Sequence, residues 1–267
     1  MEHRPLGKTG ILMSVVGLGT VKLGRSEGVK YPATYAIPDD RSAAALLDKA
    51  ESLGINVIDT APAYGTSEER LGKLIGGRRD RWVVVTKAGE EFSGGSSRFD
   101  FSPSAIRASV ERSLRRLGTD RLDLLLVHSD GLIERGMPDE LWAELSALRS
   151  EGKTRAYGVS TKGAAGSRAC LPHCEALMVT IGGPDETGVV ASARTAGVGI
   201  LVKKALDSGR ASEPGPALRR AVQTPGVTSV IVGTINPDHL EDNARWALGT
   251  GPGEVGTGSV PAGGSGG

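Results

Sequence analysis

Four polar residues stand where they could act together on one reacting oxygen. Asp59 and His128 each directly follow a short apolar run, Lys87 follows the run Val83-Val84-Val85-Thr86, and Tyr64 comes five residues after Asp59. Because the carboxyl ends of parallel barrel strands meet at one rim, a carboxylate, an ammonium and an imidazole would lie on the same side of the fold. Taken singly, Asp59 could cap a turn, Lys87 could reach solvent and His128 could bond a main-chain carbonyl. The presence of all three side chains at the same rim indicates a functional site.

The chemistry that these side chains favour is proton donation to oxygen. A free tyrosine, with a pKa of about 10, is a poor acid near neutrality, but a neighbouring cation stabilises the phenolate and lowers that pKa. A buried carboxylate would hold Lys87 charged, and a neutral His128 would donate to a carbonyl oxygen and orient it. Such a group can protonate the alkoxide that forms from a ketone or aldehyde. It supplies no hydride, so a nicotinamide cofactor is needed.

Short apolar segments alternate with segments of helical periodicity along the chain. The strand candidates are residues 15–18, 56–58, 82–86, 122–127, 155–159, 177–181, 200–202 and 230–232. The helix candidates between and after them are residues 41–53, 68–75, 104–117, 138–149, 189–196, 217–222 and 240–248. Strands without polar alternation are buried on both faces, which is typical of parallel strands covered by helices.

This alternation predicts an α/β fold, a closed (β/α)8 TIM barrel. The alternative is a doubly wound sheet, which usually carries a glycine-rich phosphate loop after its first strand. The run Gly17-Leu18-Gly19-Thr20 lacks the third glycine of that fingerprint. Ahead of the first strand, a β-hairpin turning at Lys8-Thr9-Gly10 is expected to close the lower end of the barrel.

Composition separates the chain into a body and a tail. The 267 residues include 39 glycines but only ten aromatic residues, and nine of the glycines fall within 249–267. The hydrophobic share of 39% is enough for a sizeable core in the remainder. We therefore expect a barrel domain over 1–248 and a flexible glycine-rich tail over 249–267.

Charge and cysteine usage exclude several classes of protein. The 32 basic and 31 acidic residues leave no basic excess for nucleic acid or an anionic membrane surface. No apolar stretch approaches the roughly 18–20 residues of a membrane span, and the first ten residues lack the apolar core of a signal peptide. Cys170 and Cys174 flank His173, but no second cluster completes a metal site. We expect no metal, reduced thiols and a cytoplasmic protein.

The four candidate residues resemble the catalytic set of the aldo-keto reductases, in the order that this family uses. Asp59 and Tyr64 lie in Asp-Thr-Ala-Pro-Ala-Tyr-Gly, Lys87 in Val-Thr-Lys-Ala-Gly and His128 in Leu-Val-His-Ser. The resemblance runs from about residue 7 to residue 248. It implies a (β/α)8 barrel and NAD(P)H-dependent reduction of an aldehyde or ketone, or oxidation of the matching alcohol. Tyr64 would be the proton donor, tuned by Lys87 and Asp59, and His128 would orient the substrate.

The same resemblance implies a set of cofactor contacts, with NADP(H) in preference to NAD(H). Ser160 and Thr161 correspond to the Ser-Asn pair that holds the carboxamide, with Thr161 replacing Asn. The sixth strand lacks the usual glutamine, and no tyrosine is evident to stack on the nicotinamide. His239 stands where many NADPH-dependent members place an arginine. The remaining implied contacts are Gly19, Thr20, Asp59, Leu206, Ser208 and Gly209, followed by Gly233, Thr234, Asp242 and Asn243.

Aromatic residues cluster in segments expected at the catalytic rim. Tyr31 and Tyr35 follow the first strand, and Phe92, Phe99 and Phe101 follow Lys87. They could form the walls of a pocket for an apolar carbonyl substrate, or they could simply pack these loops onto the barrel.

Two other functions remain open on the sequence. Lys87 at a strand end could attack a carbonyl and make the chain a Schiff-base lyase. The absence of the family's usual asparagine and glutamine contacts to the carboxamide would also suit a nicotinamide-binding regulatory protein with little turnover.

Overall fold

A computed structural model describes residues 1–29 and 31–251 of the chain. The strands in these ranges are β1 (His3–Pro5), β2 (Leu12–Ser14), β3 (Val16–Gly19), β4 (Val57–Asp59), β5 (Val83–Ala88), β6 (Glu90–Ser93), β7 (Ser96–Phe99), β8 (Leu122–His128), β9 (Thr154–Ser160), β10 (Ala176–Val179), β11 (Gly199–Val202) and β12 (Val227–Val232). The helices are α1 (Val21–Gly24), α2 (Asp40–Ser52), α3 (Ser67–Ile75), α4 (Pro103–Leu117), α5 (Asp139–Ser150), α6 (Ala164–Cys170), α7 (Pro184–Ala196), α8 (Pro214–Gln223) and α9 (Pro237–Ala247).

Eight parallel strands form a closed barrel in the order β10-β11-β12-β3-β4-β5-β8-β9. Each strand pairs with the next barrel strand along the chain, and β12 closes the ring by pairing with β3. This arrangement confirms the predicted (β/α)8 barrel and excludes the doubly wound sheet. All residues of β5 and β12 are buried, as expected for strands covered by helices.

Helix starts follow the capping residues in the sequence. The side chain of Asp39 accepts a hydrogen bond from the Ser42 N–H at the start of α2, and Ser102 does the same for Ala105 at the start of α4. At the other end of α4, Gly118 adopts a left-handed conformation with φ of 61°.

The antiparallel hairpin β1–β2 closes one end of the barrel, as predicted. Leu6, Ile11 and Met13 are almost fully buried and belong to the same apolar cluster as the inward-facing strand residues. Gly199 at the start of β11 makes room for this plug, because a Cβ there would overlap the Leu6 side chain. Arg4 fixes the hairpin by donating hydrogen bonds to the Val222 and Val227 carbonyls at 2.7 and 2.9 Å.

The hairpin β6–β7 and the short helices α1 and α6 were absent from the sequence expectations. The hairpin β6–β7 pairs Glu90 with Phe99 and Ser93 with Ser96, and lies outside the barrel sheet. Its polar strands carry no apolar alternation to reveal them. Helix α6 is short and rich in alanine, so it shows little helical periodicity. The expected tail lies outside the described residues from residue 252 onward.

Three further findings concern the described residues only. None of their helices is long and apolar enough to cross a bilayer. Cys170 and Cys174 are buried free thiols, and burial raises the pKa of both. No group of three or more His, Cys, Asp or Glu side chains is arranged to hold a metal ion in this part of the chain.

Candidate active site

Three neighbouring strands bring the predicted catalytic residues to one end of the barrel. Asp59 ends β4, Lys87 is the second-last residue of β5, and His128 ends β8. The strands pair in parallel, with Asp59 opposite Val85 and Lys87 opposite Leu126. The register therefore aims the three side chains into a common mouth, as the spacing predicts.

Lys87 and Asp59 form an ion pair that is nearly excluded from solvent. Lys87 Nζ lies 2.6 Å from Asp59 Oδ1 and also donates to the Thr60 carbonyl at 2.8 Å. The two side chains are only 1% and 6% exposed. Because a buried charge without a partner is costly, this pair fixes both the position and the charge of Lys87.

Tyr64 lies beside this ion pair. It ends the 3-10 turn Pro62–Tyr64, and its main-chain N–H donates to the Ala61 carbonyl at 2.9 Å. Lys87 Nζ is 4.7 Å from the centre of the Tyr64 ring. The ring centres of Tyr64 and His128 are 6.3 Å apart, and the rings meet edge to face. The structure thus brings the four predicted residues together.

The pKa values of these groups reflect burial opposed by charge. Burial raises the pKa of Tyr64 above its usual value, and the nearby Lys87 ammonium offsets this only in part. Burial works against the Lys87 ammonium, but Asp59 and Tyr64 outweigh it, so the pKa of Lys87 stands above its usual value. Lys87 is therefore a charged group at neutral pH, able to stabilise a phenolate beside it.

Glu90, at the start of β6, faces His128. His128 Nδ1 and Glu90 Oε2 are 2.7 Å apart, although the nitrogen makes no well-aligned hydrogen bond. Burial lowers the pKa of His128, the Lys87 ammonium adds to this, and Glu90 opposes it. Burial works against the Glu90 carboxylate, but the neighbouring His128 outweighs it and the pKa of Glu90 is about 2. An anion beside Nδ1 favours a proton on that nitrogen, which leaves Nε2 of the neutral ring as an acceptor.

Gly19 and Thr20, predicted to contact the cofactor, are fixed to the end of β4. Gly19 pairs with Asp59 in the sheet, and the buried Thr20 hydroxyl donates to the Asp59 carbonyl at 2.9 Å. These contacts give Thr20 a role in positioning Asp59.

The predicted carboxamide pair, Ser160 and Thr161, divides between two environments. The Ser160 hydroxyl accepts a hydrogen bond from Lys203 Nζ at 2.8 Å. The Thr161 hydroxyl lies 2.6 Å from Ser167 Oγ, and the residue is only 1% exposed. Ser160 thus belongs to the barrel mouth, whereas Thr161 is bonded toward α6.

The loop after β11 contains unusual backbone conformations. Lys204, Asp207 and Ser208 have φ of 57°, 45° and 56°, and no other non-glycine residue in the described ranges has a positive φ. Leu206 precedes the 3-10 turn that ends in Gly209. Strain of this kind concentrates at ligand-binding loops, and the Ser208 hydroxyl adds a donor for phosphate oxygens. Leu206, Ser208 and Gly209 stay predicted cofactor contacts.

The loop after β12 leads into α9. Asn236 caps this helix by accepting from the Asp238 and His239 N–H groups at 2.8 and 3.4 Å, so these two donors already have a partner. His239 is exposed at the helix start, whereas Asn243 is only 5% exposed. Asp242 is half-buried beside Asn243 on the same helix.

Two tyrosines pack near the loop that follows β12. Tyr31 and Tyr35 meet edge to face with ring centres 5.7 Å apart, and Lys22 Nζ lies 4.0 Å from the centre of the Tyr31 ring. A Cβ on Gly233 would lie 2.6 Å from Tyr31 Oη. Tyr31 therefore packs on the Gly233-Thr234 turn, which is the predicted cofactor loop.

The three phenylalanines make loop contacts. Phe92 packs under the Arg25 guanidinium, 3.3 Å from the ring centre. Phe99 and Phe101 stack with ring centres 6.0 Å apart, and Phe101 packs against the main core. Their contacts fasten the β6–β7 hairpin to the barrel.

Two residues at the mouth were not found by sequence reasoning. Lys203 directly follows β11, so the strand-end pattern that indicated Asp59, Lys87 and His128 would also have indicated it. Glu90 had no comparable signal, because its approach to His128 depends on the β6–β7 hairpin.

The barrel and its four-residue site define the class of protein. The chain belongs to the aldo/keto reductase family, whose model matches residues 15–182. Aldo-keto reductases use nicotinamide cofactors, and curated relatives of the chain are named as oxidoreductases.

Particular relatives agree with this membership. The structure of PA4992 from Pseudomonas aeruginosa, described as an aldo-keto reductase, is 49% identical, with a TM-score of 0.84 over 92% of this chain and 93% of that one. An uncharacterized oxidoreductase of Bacillus subtilis, YqkF, is 37% identical over 60% of this chain and 49% of its own. L-galactose dehydrogenase of Arabidopsis thaliana is 38% identical over 60% and 48%. The chain thus spans about half the length of these curated relatives.

Proposed function

We propose that the chain transfers a hydride between NAD(P)H and a small aldehyde or ketone, or the matching alcohol. The observation that carries this proposal is the buried Lys87–Asp59 pair facing Tyr64, with Lys87 Nζ 4.7 Å from the centre of the Tyr64 ring. A tyrosine next to a permanently charged, water-excluded lysine is suited to giving a proton to oxygen.

Each side chain has one part in the proposed reaction. Tyr64 donates its hydroxyl proton to the carbonyl oxygen as that oxygen becomes an alkoxide. Lys87 stabilises the phenolate that remains, and Asp59 keeps Lys87 charged and in place. When bound, a nicotinamide cofactor supplies the hydride that these side chains cannot. In the reverse direction the Tyr64 phenolate takes up the alcohol proton.

His128 orients the substrate oxygen in this proposal. With Glu90 beside Nδ1, the neutral ring offers Nε2 as an acceptor to the hydroxyl of an alcohol. Donation to a carbonyl oxygen requires the imidazolium form, which Glu90 favours and which burial and Lys87 oppose. The protonation state of His128 therefore affects the two directions of the reaction differently.

For the cofactor, we propose NADP(H) in preference to NAD(H). The support is the family resemblance, which implies the 2′-phosphate region at the Gly233-Thr234 turn and the start of α9. The exposed His239 at this position is a weaker phosphate ligand than the arginine of many NADPH-dependent members. The other parts of the cofactor would accept hydrogen bonds from the hydroxyl groups of Ser160, Ser208 and Thr234. One relative, from Escherichia coli, is named NADH-specific methylglyoxal reductase, so both cofactors belong in the test.

Cofactor titration followed by an activity panel tests the proposal. Fluorescence titration with NADPH and NADH should show saturable binding, tighter for NADPH. Purified protein should then oxidise NADPH in the presence of aldehydes and ketones, including methylglyoxal, or reduce NADP⁺ with an alcohol such as L-galactose. Binding of neither cofactor would overturn the proposal. Binding without turnover across the panel would instead favour the nicotinamide-binding regulatory protein.

A further inference from the structure

A second lysine enters the barrel mouth beside the proposed catalytic group. Lys203 directly follows β11, and its main-chain N–H donates to the Val179 carbonyl at 2.8 Å. Its side chain is half-buried, and its Nζ is 2.8 Å from Ser160 Oγ at the end of β9. Two neighbouring strand ends therefore fix the amine at the rim where a carbonyl compound would enter.

Burial and the neighbouring cations disfavour the ammonium form of Lys203. Across residues 1–29 and 31–251, no carboxylate oxygen lies within 4 Å of its Nζ. Burial is the largest effect, the Lys204 and Lys87 cations add to it, and the Glu134 and Asp59 carboxylates oppose it from a greater distance. The pKa of Lys203 is lowered to about 7. A substantial fraction of the side chain is thus a neutral amine near neutral pH.

Lys87 shows the opposite arrangement. It is paired with Asp59 at 2.6 Å, and its pKa is raised, so it holds no free lone pair near neutral pH. The nucleophilic role that the sequence suggested for Lys87 therefore suits Lys203 better, because attack on a carbonyl requires the neutral amine.

We propose that Lys203 forms a Schiff base with aldehydes and unhindered ketones that enter the barrel mouth. Lys203 Nζ adds to the carbonyl carbon, and the oxygen becomes the hydroxyl of a carbinolamine. The C–O bond then breaks, the oxygen leaves as water with the two hydrogens of the amine, and a C=N bond remains. Ser160, in contact with the amine, is placed to pass a proton between nitrogen and oxygen. The reaction requires no cofactor and is independent of the proposed reductase function.

Reductive trapping on the full-length protein tests this proposal. Propanal and cyanoborohydride are added at about pH 7, and the modified lysines are quantified by peptide mass spectrometry. Because an amine with a pKa near 7 is about half neutral there, Lys203 should be modified at least about tenfold more than the exposed Lys73. Lys203→Met should remove this dominant modification, and the matched Lys73→Met should leave it unchanged.

The pH dependence of wild-type protein provides a test that needs no variant. Raising the pH from about 7 to about 9 should reduce the ratio of Lys203 to Lys73 modification by at least about tenfold, because ordinary lysines gain neutral amine over this range. Modification of Lys203 no greater than that of Lys73 at about pH 7, or a ratio independent of pH, would overturn the proposal. Failure of NADPH binding would overturn only the reductase function, since trapping is done without cofactor.

Discussion

The Lys87 ammonium and the Asp59 carboxylate lie 2.6 Å apart and are almost fully enclosed by the barrel mouth. Removing one partner leaves an unpaired buried charge, so Asp59→Asn and Lys87→Met should each lower the free energy of unfolding by about 3–5 kcal/mol. The double variant should lose less than the sum of the two, because its loss includes no unpaired charge. Urea denaturation measures these values.

The partly exposed surface pair between Lys49 and Glu241, with Lys49 Nζ 2.7 Å from Glu241 Oε2, provides the control. Lys49→Met removes the same kind of contact where water screens both charges, so its effect should be small. A Lys87→Met protein as stable as this control would show that the buried pair contributes little to the stability of the fold.

The short distance between Glu90 and His128 has a consequence for stability in acid. Because the pKa of Glu90 is about 2 rather than its usual 4.5, the carboxylate stabilises the fold above about pH 4.5, and this stabilisation is lost as the pH falls toward 2. Because Glu90 also favours the His128 imidazolium, the difference in unfolding free energy between wild type and Glu90→Gln should be largest just above pH 4.5 and shrink as the pH falls toward 2. Glu91→Gln, which removes a contact with Arg112 instead, is the matched control.

The same variant should alter the titration of His128. Glu90 is the neighbour that favours the imidazolium, so Glu90→Gln should lower the pKa of His128 further below its usual value. Proton NMR of the His128 ring follows this directly, and the acid limb of the pH–rate profile should move to lower pH with it. An upward movement of the His128 pKa would contradict the arrangement described for this pair.

Much of the fold and the four central site residues could be predicted from the sequence, for a physical reason. Barrel strands are buried on both faces, so a polar residue at a strand end stands out against an apolar run, as Asp59, Lys87 and His128 do. The strand-end pattern can be found in the local sequence, and the parallel pairing of the strands brings these final residues together in the folded barrel.

Contacts made through loops were not accessible in the same way. The approach of Glu90 to His128 depends on a polar hairpin, and the packing of Tyr31 on Gly233 joins segments about 200 residues apart. The bond between Thr161 and Ser167 likewise depends on α6, which shows little helical periodicity. Nothing in the residue types indicates these partners before the loops are placed.

Cofactor preference should respond to the residue at the start of α9. His239→Arg places a permanent guanidinium beside the proposed 2′-phosphate region, and a bidentate contact there should lower the NADPH Kd by about tenfold. The NADH Kd should stay unchanged. His3→Arg adds the same charge on the β1–β2 hairpin, and it should change neither value. Equal changes for NADPH and NADH would place the 2′-phosphate elsewhere.

The most direct test of the proposed reaction is the rate of NADPH oxidation by Tyr64→Phe, measured at saturating cofactor with the best carbonyl compound of the panel. Loss of the proton donor should lower this rate by at least about 100-fold while NADPH binding is retained. Tyr157→Phe, a change of the same kind on β9, should keep the wild-type rate. A Tyr64→Phe protein that reduces the carbonyl compound at the wild-type rate would contradict the assignment of Tyr64 as proton donor.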